Sequence, residues 1–307
     1  MILGLAACGG EGSKGDSEKG FTLSNEIEGK DYEVTYDKVP ERAVSVAGFT
    51  TEMLLSLGLE DHMAGYSYQD NEVPEEYAAA IAKVKNLGKE NPSQEALLNE
   101  KCDFITGWVT AFNDKTFPPK FLEDNKIKFY VPRVEYPNAT MDTVYEDYKN
   151  LGKIFGVEDK AKEQVEKMKK EIADVEEKVK GKDPVKVFIF DSGEKEPFTA
   201  SAGLPTDMIK RAGGVNVFAG EKENWLNVSW EKVVEANPDQ IIIMKYDVSD
   251  DADGKKDFLM KNPALKDVNA IKNNKVFIML LSDVIGGPRN PGGIKTMAEH
   301  FHPDAFK

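Results

Sequence analysis

Cysteine, histidine and arginine are the scarce residues of this chain: two, three and four of them among 307. His62, His300 and His302 are too few for a bare zinc or manganese centre, which needs several imidazoles converging with carboxylates. Only Arg42, Arg133, Arg211 and Arg289 carry a guanidinium, and the net charge is −14. That balance argues against a nucleic-acid partner, whose phosphates call for a basic face. A Gly-x-x-x-x-Gly-Lys-Ser/Thr phosphate loop is absent, so this chain does not itself hydrolyse ATP, and there is no Gly-x-Ser-x-Gly nucleophile elbow. Beyond the amino terminus, no stretch approaches the ~20 apolar residues of a membrane span. Ser249-Asp250-Asp251-Ala252-Asp253-Gly254 echoes a calcium loop only faintly. Its first ligand would be Ser and its last Met260 instead of Glu, so it reads as a solvated acidic loop.

What is present is a repeat. Thr51-Glu52-Met53-Leu54-Leu55-Ser56-Leu57-Gly58 returns in altered form 155 residues later as Thr206-Asp207-Met208-Ile209-Lys210-Arg211-Ala212-Gly213. Ser93-x-Glu95-x-Leu97-Leu98, leading to Asp103-x-Ile105, returns 136 residues later as Ser229-x-Glu231-x-Val233-Val234, leading to Asp239-x-Ile241. Two ordered matches predict two similar halves, and a repeat constrains architecture before any local signal does. A length of 307 residues and 40% hydrophobic content suit two ordinary globular cores.

Short apolar runs predict strands at 43–47, 63–65, 104–106 and 127–131 in the first half. Runs at 185–190, 241–244 and 276–280 do so in the second. Helical stretches separate them, which predicts parallel α/β layers in each half. The first of these helices is expected to begin with Thr50 or Thr51 as N-cap and to stop at Gly58. Between the halves, Val157, Ala161, Val165, Met168, Ile172, Val175 and Val179 recur every three or four residues among Lys and Glu. One apolar stripe therefore runs along a helix over 158–180, roughly 35 Å long at 1.5 Å per residue. Gly181 and Pro184 stop it. So regular a connector is a rigid strut, resistant to wide hinge closure. The organisation expected is a signal remnant and tether over 1–20, a first α/β lobe over 21–156, a linker helix over 157–183 and a second α/β lobe over 184–307.

Leu5-Ala6-Ala7-Cys8 resembles a bacterial lipoprotein signal-peptidase site, in which the thiol accepts a lipid and becomes the mature amino terminus. No basic segment precedes it and its apolar run is short. Gly9 to Gly20 is polar and glycine-rich, as in a flexible tether. Cys102, beside an apolar strand, is expected to be a buried free thiol.

Several short motifs occur together in one order. They are Pro40-Glu41-Arg42-Ala43-Val44-Ser45, Thr51-Glu52-Met53-Leu54, Asn86-Leu87-Gly88 with Pro92-Ser93-Gln94-Glu95, and Pro197-Phe198-Thr199. Arg211-Ala212-Gly213-Gly214-Val215-Asn216-Val217, Trp225, Val228-Ser229-Trp230-Glu231 and Asn237-Pro238-Asp239 follow. On these, residues from about 37 to 307 resemble the substrate-binding lipoproteins of ABC importers for iron–siderophore complexes, haem and cobalamin, whose lobes are joined by one long helix. Lys101-Cys102-Asp103 departs from the family, which usually has Pro before that Asp.

The resemblance implies a monomeric, non-enzymatic receptor, lipid-anchored on the outer face of the cytoplasmic membrane and free of cofactors. It implies a ferric siderophore as the first-ranked ligand, with haem or cobalamin as alternatives, and a permease dimer with its ATPase as partner. One glutamate per lobe pairs with permease arginines in that family, and these map onto Glu95 and Glu231. Independently of any partner, Ser93 and Ser229 suit helix N-caps, and an acid in the first turn is favoured there.

The family's ligand lies between the lobes at the carboxyl ends of the strands. The candidates are therefore Tyr66, Tyr68, Trp108, Phe112, Arg133, Tyr136, Phe198, Trp225, Asp283 and Arg289. Aromatic faces suit a macrocycle or catecholate rings, and an arginine suits anionic oxygens. Arg211, inside the helix ending at Gly213, is expected only to be solvated. A nucleotide-sugar transferase also has two α/β lobes, but it would show turnover where a receptor shows saturable binding. A passive surface adhesin would have no small-molecule site.

Overall fold

A hairpin of β1 (Phe21–Ile27) and β2 (Lys30–Tyr36) opens the described part of the chain, turning through Glu28 and Gly29 at φ 51° and 73°. The computed structural model describes residues 20–221, 223–247 and 249–307. After the hairpin, strands β3 (Ala43–Val46), β4 (Met63–Tyr66), β5 (Phe104–Gly107) and β6 (Lys128–Tyr130) form a parallel sheet in the order β4-β3-β5-β6. Helices α1 (Gly48–Ser56), α2 (Glu75–Ile81), α3 (Gln94–Asn99), α4 (Pro119–Asp124) and α5 (Met141–Phe155) accompany it.

Helix α6 (Glu158–Val179) leads to the second lobe. There β7 (Val185–Phe190), β9 (Gly214–Asn216), β11 (Gln240–Lys245) and β12 (Val276–Leu280) pair in parallel, in the order β12-β11-β7-β9. A short antiparallel ribbon joins β8 (Phe198–Ala200) to β10 (Trp225–Asn227). The helices of this half are α7 (Gly203–Arg211), α8 (Trp230–Ala236), α9 (Ala252–Lys261), α10 (Asn269–Lys272) and α11 (Asn290–Phe301).

In both sheets the second strand lies outside the first, followed inward and across by the third and fourth. The strand order reverses between first and third strands, and in open α/β sheets the crevice at that point, beyond the carboxyl ends, is where ligands bind. The two lobes therefore carry one topology twice. Helix α1 spans Gly48–Ser56 and α7 spans Gly203–Arg211, the same 155-residue offset as the repeat at both ends.

Helix α1 starts earlier than expected. Its N-cap is Ala47, and the hydroxyls of Thr50 and Thr51 donate to the Ala47 carbonyl at 3.1 and 2.9 Å. Both threonines are thus inside the first turn, tied back to the chain by their own hydroxyls.

Ala161, Val165, Met168, Ile172, Val175 and Val179 of α6 are all buried, as the periodicity predicts, against α5 and α11. At roughly 1.5–3 kcal/mol for each large apolar side chain withdrawn from water, this stripe fixes the helix to both halves. Cys102 is buried, and burial pushes its thiol up to about 12. No described helix is long and apolar enough to cross a membrane.

Candidate functional site

A cavity of about 290 Å³ lies between the lobes. Its walls are Trp108 and Thr110 after β5, Val134 and Glu135 after β6, Ala202–Pro205 entering α7, Asn224 and Trp225, and Val284 and Ile285 after β12. Its position at the strand ends makes it the candidate ligand site. Larger grooves of about 490 and 830 Å³ occur against β2, α4 and β6 and between α5 and α6. Neither is lined by the residues that follow the central strands.

Each wall has a local cause. Gly107 lets β5 run close to β3, since a Cβ there would come within 2.5 Å of Val46 Cγ2. The chain then delivers Trp108, whose ring meets Phe49 of α1 edge-on at 5.0 Å. The turn after β6 is pinned from α5. Asp147 accepts hydrogen bonds from the Tyr130 hydroxyl (2.6 Å), the Arg133 N–H (2.7 Å) and the Val134 N–H (3.0 Å). That turn presents Glu135, which accepts one bond from the Val109 N–H at 3.3 Å. Burial, with Asp147 nearby, pushes the Glu135 carboxyl up to about 7.

On the other lobe, Trp225 sits on β10 and stacks on Phe198 of β8, with centroids 5.8 Å apart and planes 23° from parallel. Trp225 faces Ala200 and Phe198 faces Asn227, so the two rings are diagonal neighbours on one face of the ribbon. Gly203 adopts φ +71°, and a Cβ there would press on the Asn224 amide at 3.1 Å. A second groove of about 390 Å³, running to Gly220, shares Ala202 and Gly203 as a common wall.

Beside the cavity the lobes are joined by polar contacts. The Asn224 amide accepts from the Asn138 N–H at 3.2 Å and donates to the Tyr136 carbonyl at 3.3 Å. Near the N-terminal end of α11, Arg289 holds both oxygens of Glu52, at 2.7 and 2.5 Å, and donates to the Glu72 carbonyl. The Asn71 amide donates to the Tyr246 carbonyl at 2.9 Å and accepts from the Ser282 hydroxyl at 2.6 Å. Asp191 of the second lobe, just beyond β7, is bonded by the Tyr246 hydroxyl.

Of the expected ligand residues, Trp108 and Trp225 meet in one cavity, one from each lobe, with Phe198 behind the second. Others are placed elsewhere. Phe112 is fully buried against Phe129, because the 3₁₀ turn over Val109–Ala111 carries it into the first core. The Tyr136 hydroxyl accepts the Glu26 N–H at 2.7 Å and so faces the β1–β2 hairpin. Arg133 is 3.2 Å from Glu146 of α5. Tyr68 is exposed at φ 55°, and neither it nor Tyr66 lines the cavity.

Arg289 is spoken for by Glu52, with Asp283 a further 3.9 Å away. It therefore cannot offer a free fork to an anionic ligand in this arrangement. Arg211 is not merely solvated either. It bridges Asp207 at 2.8 Å and Glu176 of α6 at 2.9 Å.

The wall residues sequence reasoning missed are Thr110, Val134, Glu135, Ala202, Gly203, Leu204, Pro205, Asn224, Val284 and Ile285. Glu135, Val284 and Ile285 lie one or two positions beyond residues that were considered. The repeat also held a signal for Gly203–Pro205, since these begin the helix that duplicates α1.

Glu95 and Glu231 are exposed in the first turns of α3 and α8. The Ser93 and Ser229 hydroxyls accept from the N–H groups of Ala96 and Lys232, at 3.1 and 3.3 Å, as the capping pattern predicts. Cys8 lies outside the described residues.

Comparison with known proteins gives a consistent result. A family model described as periplasmic binding protein matches residues 44–280. The uncharacterized ABC transporter substrate-binding lipoprotein YvrC of Bacillus subtilis is 27% identical over 314 aligned positions, covering 99% of this chain and 94% of that protein. The vitamin B12-binding protein of Vibrio parahaemolyticus is 27% identical over 264, covering 85% and 89%. Among solved structures, a periplasmic binding protein from Veillonella parvula is 35% identical, with a TM-score of 0.89 over 92% of this chain and 98% of that one.

Proposed function

Since this chain belongs to the periplasmic binding protein family, we propose that it is the extracytoplasmic receptor of an ABC importer, capturing a metal chelate and passing it to the permease. Its relatives are binding proteins, and the chain is a binding protein, not an enzyme. It works with a permease and ATPase, as a monomer held to the outer face of the membrane by a lipid. A ferric siderophore is the first-ranked cargo, with haem and cobalamin as alternatives. The observation that carries this reading is the pair of indoles, Trp108 and Trp225, contributed by opposite lobes to one cavity at the strand ends. Flat, partly desolvated aromatic walls bind large conjugated or ring-bearing chelates better than small polar solutes.

At about 290 Å³ the cavity stands at the low end for small-molecule sites. A chelate would extend into the adjoining groove of about 390 Å³ or part the lobes slightly. The strut α6 favours the smaller movement. Purification from the native host should yield a coloured complex with a ligand-to-metal or corrin absorption band. A colourless protein lacking iron and cobalt counts against the reading. With that ligand in hand, Trp225→Ala should weaken binding by roughly 1–3 kcal/mol in calorimetric titration. Phe198→Ala should lose less, because it acts by letting the Trp225 ring move. Unchanged affinity in both variants puts the ligand elsewhere.

The lipid anchor is proposed from Leu5-Ala6-Ala7-Cys8 and the lipoprotein name of the Bacillus relative. Labelling cells with a fatty-acid analogue should mark the wild-type precursor and leave Cys8→Ser unmarked. Equal labelling of the two removes Cys8 as the anchor.

A further inference from the structure

Every arginine of the chain is already neutralised within the protein. Arg42 pairs with Glu100 at 3.6 Å, Arg133 with Glu146, Arg211 with Asp207 and Glu176, and Arg289 with Glu52. Among the described residues, no Lys or Arg lines the cavity between the lobes. The one ionisable group on its wall, among the described residues, is the acid Glu135. The adjoining groove adds Lys210, but together with Asp207 and Glu221. Around the same strand ends, outside the cavity wall, stand further acids of both lobes: Asp70, and Asp191, Asp247 and Asp283, which face Lys255, Lys89 and Arg289. Burial raises Asp70, with Asp247 opposite it adding to the effect, and burial also raises Asp191 and Asp283. An anion entering the cavity would lose its hydration and find Glu135 on the described wall where it needs a counter-ion.

One wall residue, Trp108, carries a hydrogen-bond donor left without a partner: its indole N–H is buried and has none among the described residues. A buried donor left unmade costs about 1–3 kcal/mol. Glu135, bonded only through one main-chain N–H, has a second oxygen free to donate when protonated or to face a cation when ionised.

We propose that the cargo is a metal complex carrying no net negative charge, an uncharged or cationic chelate. The inference rests on the cleft being the chelate site. It narrows the class: tris-catecholate complexes and the dipropionate face of haem are disfavoured, and trihydroxamate complexes and corrinoids are favoured.

Four probes decide it in tryptophan-quenching titrations at pH 8: cyanocobalamin (uncharged), ferrioxamine B (cationic), ferric enterobactin (trianionic) and haemin (anionic). At least one of the first two should bind about 100-fold or more tightly than both of the last two, a gap of roughly 2.8 kcal/mol. Tighter binding of either anionic complex overturns the inference and leaves the chelate-receptor reading standing. Binding of none of the four overturns that reading, and the inference with it. Glu135→Gln supplies a second arm that keeps size and shape. With the carboxyl near 7, an anion at pH 8 must first force a proton onto Glu135, a penalty of about tenfold per pH unit. Glu135→Gln should therefore raise affinity for ferric enterobactin about tenfold and change that for cyanocobalamin less than about threefold. No gain for the anion overturns the role given to Glu135.

Discussion

Arg289→Met lowers the unfolding free energy by about 3–5 kcal/mol near neutral pH, the range for removing one partner of a buried ion pair. The side chain of Glu52 is 1% exposed and that of Arg289 12%, and they meet through two hydrogen bonds from different lobes. Without the guanidinium, Glu52 keeps its desolvation and loses the contact that opposes it. Burial already raises this carboxyl above its ordinary 4.5, with the Arg289 hydrogen bond and charge pulling the other way. In the variant the folded value rises further.

The sign of the pH dependence follows. Below about 4.5 the carboxyl is protonated in both folded and unfolded chains, and the variant's deficit is smallest. As pH rises through that value the unfolded chain ionises while the folded one resists, so the deficit grows until the folded group also titrates. Urea unfolding followed by circular dichroism at pH 3.5 and pH 8 compares the two regimes. Glu52→Leu with Arg289→Met should recover most of the loss, because two packed apolar side chains replace a desolvated pair. A deficit under about 1 kcal/mol at pH 8 in the single variant shows the pair to be idle.

This pair also marks where the sequence stopped being legible. Glu52 and Arg289 are 237 positions apart, and nothing local in either segment announces the other. Arg289 was legible as a residue near the strand ends, but its charge state toward a ligand depends on that distant carboxylate. Phe112 and Trp108 show the same limit at short range. Both follow β5 within five residues, and a single 3₁₀ turn sends one ring to the cavity and the other to the core.

Seven of the eight strands in the two sheets were readable because they are largely buried, which writes apolar runs such as Val187–Phe190; β9, three residues long with Val215 exposed, was not. The β1–β2 hairpin and the β8–β10 ribbon are half-solvated, short or paired across 20 or more residues, and carry no such run. The repeat was the strongest signal in the chain. It located both helix pairs and their spacing, though not the first residues of α1 and α7, since a duplicated fold preserves spacing where it does not preserve identity.

The second large effect concerns delivery, not capture. Glu95→Lys with Glu231→Lys should reduce uptake in cells to background while leaving affinity in solution unchanged. Both carboxylates are exposed in helix first turns capped in the same way by serine hydroxyls. Glu231 is held below the usual carboxylate range by its own main-chain N–H and the Ser229 hydroxyl, so it stays ionised on the outside of the cell. The two stand at equivalent positions of lobes with one topology. A permease dimer offering a basic pocket to each lobe would engage them together.

Two linked contacts exceed either alone by a factor on the order of 10²–10⁴, set by the effective concentration of the second once the first is made. Each single reversal should therefore be milder than the double, since one anchor survives. Neither glutamate lines the cavity, so ligand titration of the purified double variant separates docking from binding. Normal transport by that variant would leave these acids as first-turn residues favoured by the helix dipole alone, and the permease would have to read another face of the lobes.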